Sequence, residues 1–305
     1  MTKINLCICT YKRPGLLTDC LQSIGDIIIP SGTEVTVTVI DNDQTCSAEA
    51  FVSRLAKTFP FPLYYHCESR RGIPCARNRA VEETHRLGSD YLVFIDDDEW
   101  VEPLWLDLLY CYCQKQGGNI VVSGAVISDF PDGTPDHISY FLSRKQKATG
   151  TLLGSCATNN VLVPIYLTKD LGLRFDETNP LAGGTDTIFF CEAVNIGVII
   201  KKCAEALVHE SVPKNRATLR WLSKRKFRGG ITVAWREKKN GHSTFSIVAL
   251  TGRKLLRDLF LASIMFLIGK KLKRNKRWLK VCYRLGVLSG VLGLKVDSYK
   301  NIDGQ

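Results

Sequence analysis

The sequence predicts an α/β fold, a mostly parallel sheet flanked by helices, followed by a basic, mainly helical C-terminal extension. Three observations carry this. Strand-like and helix-like patterns alternate through the first 116 residues. The strand-like runs end in polar residues. Charge is divided unevenly along the chain, whose 305 residues are 45% hydrophobic and 23% charged, enough for one large or two small domains.

Residues 3–11, KINLCICTY, form an apolar run ending in turn chemistry, and residues 13–24 place Leu16, Leu17, Cys20, Leu21 and Ile24 at helical spacing. Residues 33–43 are β-branched and alternating. A helix is predicted over 47–59, a strand over 62–69, and a helix over 73–87, where Pro74 sits in a first turn that tolerates its missing N–H. A strand over 90–98 and a helix over 103–116 follow. The β-α-β-α order implies parallel strands with helices on both faces. Ligands of such sheets sit outside the carboxyl ends of the strands. Thr10, Asp41, Asn42, Asp43, Glu68, Arg71 and Asp96 to Asp98 gather there.

Beyond residue 119 the texture changes. Residues 119–128 and 159–167 read as strands, 129–155 as irregular, 183–197 as a loop entering a helix, and 198–211 as two short strands with a break. From 216 onward apolar and cationic residues interleave at helical spacing. A boundary near 212–218 divides the chain into residues 1–211 and 212–305.

The twelve cysteines do not form a disulfide framework. Many lie in apolar runs such as INLCICT, and the Cys7/Cys9 and Cys111/Cys113 pairs lack partners at zinc-site spacing. Reduced thiols suit a cytoplasmic setting. The first strand pattern starts at once, with no secretory leader pattern. The longest wholly apolar stretches, such as 259–269, fall short of a bilayer span.

The net charge of +11 hides an asymmetry. Residues 1–200 carry 16 Lys and Arg against 24 Asp and Glu; residues 201–305 carry 25 against 6. The basic region calls for an anionic partner: nucleic acid, a phosphorylated substrate or a membrane surface.

Five stretches could carry chemistry. In YLVFIDDDEW, Asp96 and Asp98 share a face if extension continues, giving hard oxygen donors for Mg²⁺ or Mn²⁺; an acidic turn or helix cap is the alternative. CTYKRPGLL offers Thr10 and Tyr11 to a nucleotide, although it is no P-loop. RRGIPCARNRA supplies Arg71 and Arg77 for phosphate or base, or simply a solvated basic face. LAGGTDTIFF presents Asp186 after two glycines, as a general base or as a cap. His209 in LVHES is a metal or phosphate ligand, or a surface histidine at a strand end.

Taken in order and spacing, CICTYKRPGLLTDCLQSI, VIDNDQ, RRGIPCARNRA, YLVFIDDDEW and GGTDTIFF resemble family 2 glycosyltransferases of the GT-A (Rossmann-like) fold, over about residues 3–211. The resemblance is to bacterial enzymes that extend exopolysaccharide repeat units on a lipid carrier, of the succinoglycan type. It implies that Thr10, Tyr11 and Arg13 line a nucleotide pocket and that Asp41 contacts the base. Arg71 and Arg77 would lie near base or phosphate, and Asp96 near ribose or metal. Asp98 would be the metal ligand of a D-x-D motif, with His209 a metal or diphosphate contact. Asp186 would be the base, with Thr185-Asp186 standing where the family usually has Glu-Asp. The same resemblance implies Mg²⁺ or Mn²⁺, a nucleotide-sugar donor such as UDP-glucose or a related UDP-sugar, and a lipid-linked glycan acceptor. The enzyme would be inverting and would work at the inner face of the cell membrane.

Residues 254–280 join an apolar stretch to six Lys or Arg between 270 and 277. That composition suits a helix lying in a membrane surface; a helical subdomain packed on the catalytic region is the alternative. Two other functions compete. A sugar nucleotidyltransferase would share the sheet, but no glycine-rich N-terminal pyrophosphorylase loop is present. A nucleic-acid-binding protein would use the basic tail, but its cations interleave with Leu, Ile, Phe and Val where surface aromatics would be needed, so no nucleic acid partner is expected.

Overall fold

A computed structural model describes residues 1–181, 183–239 and 241–294. The first half alternates as expected: β1 (Thr2–Thr10), α1 (Pro14–Gly25), β2 (Thr33–Asp41), α2 (Glu49–Leu55), β3 (Leu63–Cys67), α3 (Ile73–Arg86) and β4 (Tyr91–Asp96). Then come β5 (Glu99–Val101), α4 (Trp105–Lys115), β6 (Val121–Asp129), α5 (Asp136–Leu142), β7 (Asn160–Pro164), α6 (Tyr166–Lys169), α7 (Thr185–Asn195) and β8 (Ile200–Ser211). Three long helices follow: α8 (Leu219–Lys239), α9 (Thr244–Leu267) and α10 (Lys271–Val291). The end of the region drawn as 212–305, residues 295–305, lies outside the described residues.

The described strands form one sheet in the order β3-β2-β1-β4-β7-β6-β8-β5. The β3-β2-β1-β4 half is parallel. The other half departs from the mostly parallel expectation. β7 runs antiparallel to both β4 and β6, and β5 antiparallel to β8, while β6 and β8 are parallel. β8 is one strand, Ile200–Ser211, but its pairing with β6 is interrupted inside the stretch where a break was expected: Lys202 pairs with Ser123 and Leu207 with Ala125, so residues 203–206 of β8 bulge out of the ladder.

Strand alternation divides the core into two layers. Ile4, Leu6 and Ile8 of β1 and Tyr91, Val93 and Ile95 of β4 pack with α1, α2 and α4. Cys7, Leu92 and Phe94 point the other way, toward α3 and α7. Strands covered on both faces read as near-continuous apolar runs, which is why β1 and β4 stood out in the sequence. By the same alternation Asp96 follows Leu92 and Phe94 onto the α3 and α7 side.

Ten cysteines are free, as expected. Cys46 and Cys67 depart from the all-thiol expectation: they form a disulfide, with Cα atoms 5.7 Å apart, that ties the loop after β2 to the end of β3.

Two devices hold the C-terminal helices. α8 and α10 meet through glycines: a Cβ on Gly230 would strike the Tyr283 carbonyl, and one on Gly286 the Phe227 carbonyl. Asp258 of α9 is fully buried and paired with Arg277 at 2.9 Å and Arg284 at 2.6 Å on α10. Burial alone would raise its carboxyl, but hydrogen bonds from Arg284 and Arg277 prevail and hold it below the ordinary range. The tail is not one long helix across 254–280. Gly269 adopts a φ of 72°, with Gly269 N–H donating to Phe266 O at 3.1 Å and Lys270 N–H to Met265 O at 3.2 Å. This is a Schellman stop, and only glycine takes its backbone conformation without strain.

Gly286→Ala should cost about 1–3 kcal/mol, because the obstructing atoms are backbone and cannot step aside. Urea unfolding of the full chain reads this directly; an unchanged midpoint would mean that the helices do not close through this seam.

Candidate active site

The parallel register opens the site. Thr10 pairs with Asp41 and Cys9 with Asp96, so β1, β2 and β4 end level with one another. Above these ends lies a cavity of about 720 Å³. Thr10, Tyr11, Arg13, Arg71, Arg77 and Asp96 all line it, as do Asp97, Asp98 and Asp186.

The acidic cluster is tightly arranged. β4 stops at Asp96, and Asp97 and Asp98 form a turn, so Asp96 and Asp98 reach the cavity by a bend and not by continued extension. Asp97 turns down onto β1, accepting from Thr10 Oγ1 at 2.7 Å and Arg13 Nη1 at 3.3 Å. Asp98 receives Arg13 at 3.4 Å and lies 3.9 Å from Arg216. Glu99 is buried, accepting from Asn159 at 2.6 Å and from the Asp96 N–H at 3.1 Å. Burial, and then the Asp98 charge, push Asp96 up to about 6. Burial pushes Asp97 up to about 7 against the pull of Arg13.

The cationic wall comes from two places. Gly72, at a φ of 143°, packs where a Cβ would meet Pro180, and its N–H donates to Asn42 Oδ1 at 2.7 Å. That turn launches α3. Arg71, just before it, lies 5.0 Å from the Tyr11 ring, and Arg77, inside it, donates to Thr185 Oγ1 at 3.2 Å. Thr185 and Asp186 open α7 after Gly184, whose φ of 89° requires glycine in practice. Asp186 Oδ1 accepts from the Thr187 N–H at 2.7 Å.

Two expected residues stand apart. Asp41 is fully buried beneath the cavity, accepting from Tyr65 Oη at 3.0 Å and Ala48 N–H at 2.8 Å; Asn42 lines the cavity instead. His209 does not line the cavity either. Its ring stacks on Trp100 at 5.5 Å and bonds Glu102 at 3.1 Å, while its neighbour Glu210 faces the cavity and holds Arg144 at 3.0 Å. Alternation along β8 sends adjacent residues to opposite faces, so one strand cannot present both.

Among the described residues, no three or more His, Cys, Asp or Glu are grouped to hold a metal ion. The two crowded carboxylates Asp96 and Asp98 nevertheless fit Mg²⁺ or Mn²⁺, which takes one or two carboxylates and completes its shell with phosphate oxygens and water.

The family described as Glycosyl transferase family 2 matches residues 6–168. The chain is also 34% identical over 304 residues to the succinoglycan biosynthesis protein ExoM of Rhizobium meliloti (strain 1021), covering 97% of this chain and 95% of the relative. The chain belongs to glycosyl transferase family 2. Its fold is shared with solved structures. With Staphylococcus aureus TarS 1–349 in complex with UDP-GlcNAc the TM-score is 0.55 at 13% identity, covering 96% of this chain and 92% of that one. With GalNAc-T7, solved with UDP, GalNAc and Mn²⁺, it is 0.57 at 12% identity, covering 76% and 51%. The chain thus spans about half of GalNAc-T7, and 55% of a longer TarS chain.

For a family 2 glycosyltransferase, the unforeseen part of the cavity is its C-terminal wall. Arg144, Glu210, Arg216, Trp221, Arg225 and Arg236 all line it. The spacing of Trp221, Arg225, Arg228, Thr232 and Arg236, three or four residues apart, was a helical face readable in the sequence. It was absorbed into the basic tail because no sequence pattern says which way such a face points.

The raised carboxyls predict a pH dependence. A carboxyl raised on folding stabilises fully below its unfolded value of about 3.9, and that contribution is lost as pH rises through the folded value. Asp97, at about 7, therefore weighs against the fold at neutral pH and above. The melting temperature of Asp97→Asn minus that of the wild type should shift in the variant's favour between about pH 5 and about pH 8. A difference that is flat with pH would show that Asp97 is not strained by burial.

Proposed function

We propose that this chain is an inverting, metal-dependent hexosyltransferase. It would move a sugar from a UDP-sugar, with UDP-glucose the first candidate, to a hydroxyl of a lipid-linked glycan during synthesis of a cell-surface polysaccharide. The observation that carries the reading is that one cavity holds the paired carboxylates Asp96 and Asp98, the arginines Arg13, Arg71 and Arg77, and the α7 carboxylate Asp186. The similarity to a succinoglycan biosynthesis protein supports the polysaccharide setting. UDP-GlcNAc and Mn²⁺ bound to proteins of the same fold fit the donor and the metal.

Each residue has a role in this reading. Tyr11 and Asn42 border the base, and Thr10 braces the floor through Asp97. Arg13, Arg71 and Arg77 offer guanidinium forks to diphosphate, for which planar bidentate donors are suited. Asp98 and Asp96 would hold Mg²⁺ or Mn²⁺; when bound, the cation supplies Lewis-acid charge to the departing diphosphate. Asp186 takes the proton of the acceptor hydroxyl as that oxygen bonds to the anomeric carbon. The bond from that carbon to the diphosphate oxygen breaks on the opposite side, inverting the configuration. Residues 1–211 would carry the chemistry, and the helices after 212 would complete the cavity and face the membrane.

The membrane reading has support in α9. Phe245, Leu256, Phe260 and Leu267 are each 68–83% exposed. Leu256, Phe260 and Leu267 lie on one stripe, flanked by the exposed Arg253 and Arg257. No helix among the described residues is long and apolar enough to cross a membrane. We infer a peripheral site at the inner face of the cell membrane.

Two tests follow. Asp186→Asn should lower turnover by about 10²–10⁴-fold, the usual worth of a positioned base, and leave UDP-sugar affinity intact. Full turnover in that variant would remove the base. Leu256→Glu with Phe260→Glu should weaken co-sedimentation with anionic liposomes while preserving turnover on a water-soluble acceptor. Undiminished sedimentation would remove α9 as the membrane face.

A further inference from the structure

Glu99 has no part in the chemistry proposed above, yet it is buried against the residues that do. Of the four successive carboxyls Asp96 to Glu99, the first three line the cavity and Glu99 does not. It is 2% exposed. Both of its oxygens accept hydrogen bonds. Oε2 takes the Asp96 backbone N–H at 3.1 Å, and Oε1 takes Nδ2 of Asn159 at 2.6 Å. Asn159 is buried as well and is likewise absent from the lining. Both residues stand behind the cavity wall.

Stability alone is a weak reason for an acid here. Taking a carboxylate out of water is costly, and well-packed apolar side chains commonly serve such a position as well or better. Position is the stronger reason. β4 ends at Asp96, and β5 begins at Glu99, which stands opposite Glu210 of β8. Asp97 and Asp98 alone make the passage from one strand to the next. The bond from the Asp96 N–H to Glu99 Oε2 closes this bend on itself, so Asp96 is held at its start and Asp98 lies within it. Asn159 ties the closing carboxyl to the sheet, because the next residue, Asn160, pairs with Ile95 just before Asp96.

We propose that Glu99, anchored by Asn159, is a positioning residue that sets the separation of the Asp96 and Asp98 carboxylates for a divalent cation. This rests on the metal-dependent glycosyl-transfer reading and deepens it: cation affinity would depend on two residues that do not touch the cation. Mg²⁺ demands near-ideal octahedral geometry and takes one or two protein carboxylates, so displacing either one is felt at once. Outer partners that orient metal ligands are commonly worth about 10–100-fold in metal affinity.

Glu99→Gln is the discriminating change. It preserves volume, but the amide has one acceptor oxygen where two N–H donors converge, so one bond must fail. Mn²⁺ is titrated into the full chain, without nucleotide and then with equimolar UDP, against UDP alone as the blank. Free Mn²⁺ is followed by its electron paramagnetic resonance signal, so no turnover is needed. Glu99→Gln should weaken Mn²⁺ about tenfold or more and leave metal-free UDP affinity within about twofold. Asn159→Ser, whose hydroxyl falls short of Oε1, should act in the same direction. The double variant should lose less than the product of the two single losses, since both act through one bonded unit. Unfolding midpoints establish which variants are folded; should Glu99→Gln not fold, Asn159→Ser carries the same comparison. Wild-type Mn²⁺ affinity in a folded variant would overturn the proposal. So would an equal loss of metal-free UDP affinity, which marks general damage to the cavity, and so would multiplicative losses in the double variant. A wild-type chain that binds no Mn²⁺ under either condition would overturn it too. Failure of the glycosyl-transfer reading has a different signature, a wild-type protein that binds Mn²⁺ and UDP but transfers no sugar from UDP-sugars; the variants still decide the role of Glu99.

Discussion

Four successive carboxyls, Asp96 to Glu99, converge at the end of a buried strand, and much of the cavity exists to accommodate them. An unpaired buried charge costs several kcal/mol even after relaxation. Each residue meets that cost differently. Asp97 leans on Thr10 and Arg13, drawing the end of β1 and the start of α1 toward β4. Glu99 takes Asn159, just before β7, which ties the antiparallel half of the sheet to the turn. Asp98 takes Arg13 and reaches Arg216, beyond β8. Asp96 is pushed up to about 6 by burial and the Asp98 charge, against the pull of Arg77 and Arg144. A divalent cation shared with a substrate phosphate would relieve both Asp96 and Asp98 at once.

The charge asymmetry follows from the same arrangement. The acidic first 200 residues and the basic remainder meet at one cavity. Arg216 and, from α8, Arg225, Arg228 and Arg236 turn inward to the cavity that the acids line. What holds them inward is the close packing of α8 on α10, where Gly230 and Gly286 remove the Cβ atoms that would separate the backbones. Glycine in a helix interior costs about 1 kcal/mol relative to alanine. Backbone approach at this seam offsets that penalty and fixes the rotation of α8, and with it the face that carries Arg225, Arg228 and Arg236.

The parallel half of the fold was legible in the sequence because its signals are local. Ile4, Leu6, Ile8, Val93 and Ile95 announce strands, and Pro74 and Gly184 punctuate helices at their starts. The antiparallel half was less legible. Nothing in NNVLVPIYL states that β7 enters against β4, since strand direction follows from connections and not from composition. The candidate site divides in the same way. Asp98, Arg77 and Asp186 lie on elements whose ends the sequence marks, and they share the cavity. Asp41 and His209 lie outside the cavity lining for a reason of finer scale. Strand neighbours face opposite ways, so an offset of one residue separates Asp41 from Asn42 and His209 from Glu210.

The C-terminal region shows why composition alone overstates a surface. Six cations between 270 and 277 read as one charged block, but the stop at Gly269 places them across the start of a new helix. Once α10 packs on α9, Arg277 turns inward to the buried Asp258, and Arg274 settles 5.7 Å from the Phe266 ring. Lys270, Lys271, Lys273 and Lys276 stay exposed. At about 1 kcal/mol per cation beside an anionic membrane, the block offers about 4 kcal/mol where the raw count suggests about 6. Such an electrostatic term would leave membrane binding dependent on the apolar stripe of α9. A membrane face built this way would be reversible and salt-sensitive, and would leave α8 to the cavity behind it.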